Sequence, residues 1–139
     1  MNQKTSPRKN IKRRSAGALL AFFPVLLLAA SIVAGLNDVQ FSLYGAMAFM
    51  IAAVLIAMLN FYLSFLRGWL YVKRHGSPIG YRHVSGLPGI ATVLVIIGVL
   101  LGFGEIETAL LGMVVMLIDT GGSLWFLFST WRDHSFWDA

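Results

Sequence analysis

Asp119 is the only acidic or basic residue inside any of the long apolar stretches of this 139-residue chain. It lies eleven residues past Thr108, and at about 1.5 Å per residue that is near the middle of a membrane helix. A charge at that depth costs about 2.5–3.5 kcal/mol on insertion scales, while Leu110, Leu111, Val114, Val115, Leu117 and Ile118 each return about 0.3–0.6 kcal/mol. The segment therefore still inserts. A carboxyl at that depth can exchange a proton or hold a cation. It can equally sit hydrogen-bonded between helices or take part in recognising a partner. Thr120 and Ser123 follow on the same helix, and Asn60 sits at comparable depth in another apolar stretch, one helical turn before Ser64. An amide in lipid is ordinarily satisfied by a neighbouring helix for about 0.6 kcal/mol.

Other spacings speak of packing. Gly98 and Gly102 make a small-xxx-small pair, Gly17 and Ala21 a weaker one, and such pairs let helices approach closely within a bundle or between protomers, so a homo-oligomer stays open. Gly121-Gly122, directly after Asp119, can interrupt its helix, as broken helices do at transporter binding sites. Pro24 removes one backbone donor from the first apolar stretch. His75, His83 and His134 have no metal-ligand spacing, there is no cysteine, and no nucleophile–base order, phosphate loop or paired acids can be found. The expectation is no enzyme, no metal and no cofactor.

The elements that must position these residues are helices in lipid. The chain is 58% hydrophobic and 12% charged, against about 25% charged in an ordinary soluble domain. Its apolar residues form four blocks, 15–36, 41–66, 88–103 and 108–128, so the expected fold is an all-α, integral-membrane four-helix bundle of two hairpins. A basic tail (1–14), a cytoplasmic loop (67–87) and a C-terminal tail (129–139) flank them. Ser6-Pro7 disfavours helix in the first tail, which reads as flexible, and Pro88 suits the first turn of the third helix. Trp69, Tyr71, Tyr81, Trp125, Trp131 and Trp137 suit the headgroup level.

Orientation follows from charge. Six of the eleven Lys and Arg lie in the first tail, Arg13 and Arg14 among them. Four lie in the central loop, including Arg67, Lys73 and Arg74, and one in the last tail, leaving none in the two outer turns. Both ends are expected on the cytoplasmic side of a multi-pass inner-membrane protein. The net charge of +5 belongs to that pattern rather than to nucleic-acid binding. The first block also has the general form of a signal peptide, but its 22 uncharged residues exceed an h-region of about 7–15, favouring an anchor.

In length and span number the chain resembles the small multidrug resistance transporters. Their glutamate in the first span has no counterpart in residues 15–36, and the strong charge bias here also departs from that family. The layout of small size, four spans, short outer turns and no catalytic set also resembles the polytopic immunity proteins that bacteria carry against toxins acting at the inner membrane, type VI secretion effectors included. That resemblance implies protection by binding a pore-forming or depolarising toxin in the bilayer. A small proton- or cation-coupled transporter using Asp119, and a holin-like or scaffold subunit of a larger complex, are the alternatives.

Overall fold

The computed structural model describes residues 10–42 and 45–138. In order they form helix α1 (Ile11–Leu36), strand β1 (Phe41–Ser42), helix α2 (Ala46–Phe61), one π-helical turn (Tyr62–Leu66), and helices α3 (Arg67–His75) and α4 (Ile90–Leu101). Strand β2 (Gly102–Phe103) and helices α5 (Ile106–Ile118), α6 (Ser123–Thr130) and α7 (His134–Trp137) complete the chain. The all-α class holds. Three helical runs are long and apolar enough to cross a membrane, Ile11–Leu36, Ala46–His75 and Ile106–Thr130. The twelve residues of α4 span only about 18 Å, short of a hydrocarbon core of about 30 Å.

Around buried Leu28, Met50 and Met116 the interior is built largely from small side chains, and many of the large ones lie on the exterior. Ala53 and Ala57 of α2, Ala91 and Val95 of α4, and Ala109 and Val115 of α5 are fully buried, while Leu20, Leu26, Leu55, Leu110 and Leu117 project outward. In water this distribution would leave the largest apolar groups exposed; in lipid it lets backbones approach closely and gives the acyl chains an apolar surface. The Gly98/Gly102 pair serves this contact inside the chain. A Cβ on Gly98 would meet Met50 Sδ at 2.9 Å, and one on Gly102 would meet Ala46 Cβ at 3.1 Å. Those two glycines therefore seat α4 on α2.

At one end, Phe41 pairs with Phe103 in a two-stranded antiparallel ladder, joining the turn after α1 to the turn after α4. Buried Ser31 accepts the Gly104 N–H at 2.9 Å beside it. At the other end the start of α1 meets the C-terminal segment, with Arg14 forming an ion pair with Asp138 at 2.8 Å and donating to the Trp131 carbonyl at 2.9 Å. Trp137 is buried against Gly17, where a Cβ would collide with its ring, so the Gly17/Ala21 pair receives an indole from the C-terminal segment.

Several boundaries differ from the sequence expectation: α2 begins at Ala46, and Pro88, expected in the first turn of the third helix, precedes the cap Gly89 of α4. Residues 11–14, read as tail, are the first turn of α1, because the Asn10 side chain accepts the Arg13 N–H and Asp138 draws Arg14 onto the C-terminal segment. Residues 1–9 of that tail lie outside the described residues. The helix after Leu66 runs on to His75, ended by Gly76 in the left-handed region (φ 69°), with Lys73, Arg74 and His75 complementing the negative end of its dipole.

Candidate functional site

The fourth apolar block is not one helix. Asp119 (φ −72°, ψ 91°) and Gly122 (φ −80°, ψ 171°) are extended, so α5 ends and α6 begins across a four-residue break at 119–122. The glycine doublet after an acid was the signal for it. A break in lipid must satisfy the backbone groups it frees, and the flanking residues and neighbouring elements share that task. Trp125 Nε1 donates to the Leu117 carbonyl at 3.0 Å, Gly89 N–H to the Gly121 carbonyl at 2.8 Å, and Ser123 N–H to Thr92 Oγ1 at 3.3 Å. Ser123 Oγ ties the start of α6 to α1 through the Ala21 carbonyl at 2.9 Å.

Asp119 is fully buried at this break. Its Oδ1 accepts from Asn60 Nδ2 at 2.6 Å and from Gly121 N–H at 3.2 Å. Asn60 does more than reach the acid. It donates to the Leu87 carbonyl at 3.1 Å and accepts the Leu87 N–H at 2.8 Å, mimicking a strand partner for an irregular segment. Asn60 therefore joins three elements: its own helix, the approach to α4, and the broken fourth block. Gly86 allows this, since a Cβ there would strike the Asn60 side chain; on Gly121 a Cβ would sit 2.7 Å from Asn60 Nδ2 and 3.2 Å from Pro88 Cα.

One turn toward α3, Ser64 and Thr120 share a hydrogen bond at 2.8 Å. Ser64 lies in the π turn that follows Asn60, and single π turns in longer helices recur at functional positions. Asp119, Asn60, Ser64, Thr120, Gly121 and Gly122 are thus brought together, whereas Gly98 and Gly102 serve α2–α4 packing elsewhere. Asp119 Oδ2 faces Gly122 and has no hydrogen-bond partner among the described residues. Leu87 and Gly86 were missed by residue-type reasoning because one contributes backbone groups and the other only the room left by its missing Cβ.

Comparison with known protein families, characterised proteins and solved structures finds no match.

A second feature lies at the β1–β2 end. A cleft of about 590 Å³ there is lined by Gln40, Met47, Glu105 and Glu107 among others. Glu105 Oε2 accepts from Thr108 Oγ1 at 2.8 Å, while Glu107 is exposed. Asp38 lies in the other turn of this end, held at φ 57°. Of the residues invoked for orientation, Arg13 stacks on Phe136, Arg67 on Tyr81 and Lys73 on Trp69, all at the opposite end from Phe41 and Phe103. No group of three or more His, Asp or Glu suited to a metal occurs among the described residues.

Proposed function

We propose that the chain crosses a bacterial inner membrane four times with both ends in the cytoplasm, and that it is an immunity protein that binds a pore-forming or depolarising toxin at that membrane. The contact between Arg14 and Asp138 favours an even number of crossings, because both ends then lie on one side. The pairing of Phe41 with Phe103 supports two outer turns lying side by side. The short α4 completes its crossing through the segment that precedes it. Irregular backbone is tolerated at membrane depth where protein covers it, and the Leu87 N–H and carbonyl are both bonded by Asn60.

The acid-rimmed outer cleft carries the recognition reading. The buried polar side chains are bonded within the fold, Asn60 to Asp119 and Leu87, Ser31 to Gly104 and Thr108 to Glu105, which makes the bundle a fixed platform. The outer turns present Asp38, Glu105 and Glu107 with no Lys or Arg. A cationic, amphipathic toxin segment arriving from outside complements that surface in charge and finds apolar ground in Met47 and Ile106. Viability of cells challenged in the periplasm with the product of the neighbouring gene tests this reading. Protection by the protein and co-purification of the two chains are expected; equal killing with and without it refutes the proposal.

One observation favours a second reading. Asp119 Oδ2 is buried beside a helix break with no hydrogen-bond donor among the described residues, which is the position a transported proton or small cation would occupy. Proton flux into proteoliposomes, abolished by Asp119→Asn, would establish transport in place of immunity.

A further inference from the structure

Helix α3, the π turn before it and the segment that folds back from it line a partly open cavity of about 410 Å³ at the end where Arg14 meets Asp138. Gly76 ends the helix, the Tyr81 N–H donates to the Pro78 carbonyl at 3.1 Å in a turn, and Tyr71 Oη donates to the Ile79 carbonyl at 3.2 Å. These bonds return the chain along the helix. Tyr81 then packs 5.3 Å from the Tyr71 ring and over Gly68, and the Arg67 guanidinium lies 5.9 Å from the centre of the Tyr81 ring. Arg67 and Arg74 from the helix and Arg82 from the returning segment line one cavity, with His75 stacked on Tyr71 at 4.2 Å.

Among the described residues no carboxylate pairs with these three cations. The ion pairs among the described residues are Arg14–Asp138 and His134–Asp138. Of the six acids, Asp38, Glu105 and Glu107 lie in the opposite turns, Asp119 is bonded to Asn60, and Asp133 and Asp138 belong to the C-terminal segment. Three like charges lining one partly open space favour an anion there. Guanidinium forks suit the oxygens of a phosphate in particular. The rings of Trp69, Tyr71 and Tyr81 set the depth, since such side chains concentrate at the headgroup level of a bilayer.

We propose that this cavity binds the phosphate of an anionic phospholipid from the leaflet it faces. Arg67, Arg74 and Arg82 hold the phosphate oxygens, the tyrosines wall the headgroup, and the acyl chains run along the apolar surface of α2. Basic pockets beside membrane helices on the cytoplasmic side take such headgroups, and the volume suits one small polar group.

Native mass spectrometry of the full chain in detergent, titrated with phosphatidylglycerol, phosphatidylcholine or inorganic phosphate, tests the proposal. One phosphatidylglycerol is expected to bind in clear preference to phosphatidylcholine. Arg82→Gln, on the returning segment where the helix is not at risk, weakens it by about tenfold, since a charge-assisted hydrogen bond contributes about 1.5–3 kcal/mol. Lys12→Gln/Arg132→Gln, which removes charge elsewhere, leaves it unchanged. Equal affinity for the two lipids, or an unaltered Arg82→Gln, overturns the proposal. Inorganic phosphate binding as tightly as the lipid overturns the lipid as the source.

Discussion

Asn60 Nδ2 lies 2.6 Å from Asp119 Oδ1 across 59 residues of sequence, and the same amide makes both backbone bonds of Leu87. One side chain thereby supplies three bonds to two segments that cannot continue as regular helix. Its removal leaves Leu87 N–H, Leu87 C=O and Asp119 Oδ1 short of partners together. Asn60→Ala should therefore destabilise by about 1–3 kcal/mol, the cost of a buried polar group left unpaired, and more than the average of about 0.6 kcal/mol for an interhelical bond in lipid. Asp119→Asn, which can keep the contact with a rotated amide, should cost less. Unfolding by denaturing detergent in mixed micelles ranks the two.

Gly121 tests the close approach at the same point. A Cβ there would sit 2.7 Å from Asn60 Nδ2 and 3.2 Å from the Pro88 backbone, so Gly121→Ala must push apart the elements that Asn60 joins. Overpacking of this kind costs about 1–3 kcal/mol. A lowered unfolding midpoint in the same micelles is expected, together with faster hydrogen exchange at the Leu87 and Gly89 amides.

The C-terminal clamp depends on acid. The Asp138 carboxyl is held far below its ordinary range by the hydrogen bond from Arg14, with His134 and the Asn10 N–H adding to it, and Asp133 is lowered by the Ser135 hydroxyl and the Phe136 N–H. A carboxyl depressed in the folded state contributes its stabilisation above its unfolded pKa and loses it as pH falls toward the folded value. The clamp is therefore intact at neutral pH and weakens below about pH 4. Hydrogen exchange at amides 134–138, corrected for its intrinsic pH dependence, should accelerate in that range, and Asp138→Asn should show fast exchange already at neutrality.

The absence of cysteine makes topology directly measurable. Single cysteines at Asn37 and Ser77, both outside the apolar runs, should label differently with a membrane-impermeant maleimide. Asn37→Cys is expected to react in intact spheroplasts and Ser77→Cys only after permeabilisation. Equal labelling of both contradicts the proposed four crossings.

The helical class was legible because apolar length is a property of residue type. The break at 119–122 was legible as a capacity of Gly121-Gly122. The start of α1 was not, because what draws Arg14 into order is Asp138, 124 residues away. The helix beyond Leu66 was hidden by Arg67 and Gly68, whose loop-like character is offset by Tyr81 packing over them. Leu87 offered nothing to read, since its part in the site is played by N–H and C=O groups that every residue but proline carries.

Membrane potential under toxin challenge reads protection at its source. Cells lacking the protein, or carrying wild type, Glu107→Lys or Asp119→Asn, would be loaded with a voltage-sensitive dye and exposed in the periplasm to the neighbouring gene's product. Collapse is expected without the protein, a held potential with wild type, and renewed collapse with Glu107→Lys, which reverses the charge at the rim of the cleft beside the β1–β2 ladder. Collapse at the same rate in every strain would contradict the immunity reading.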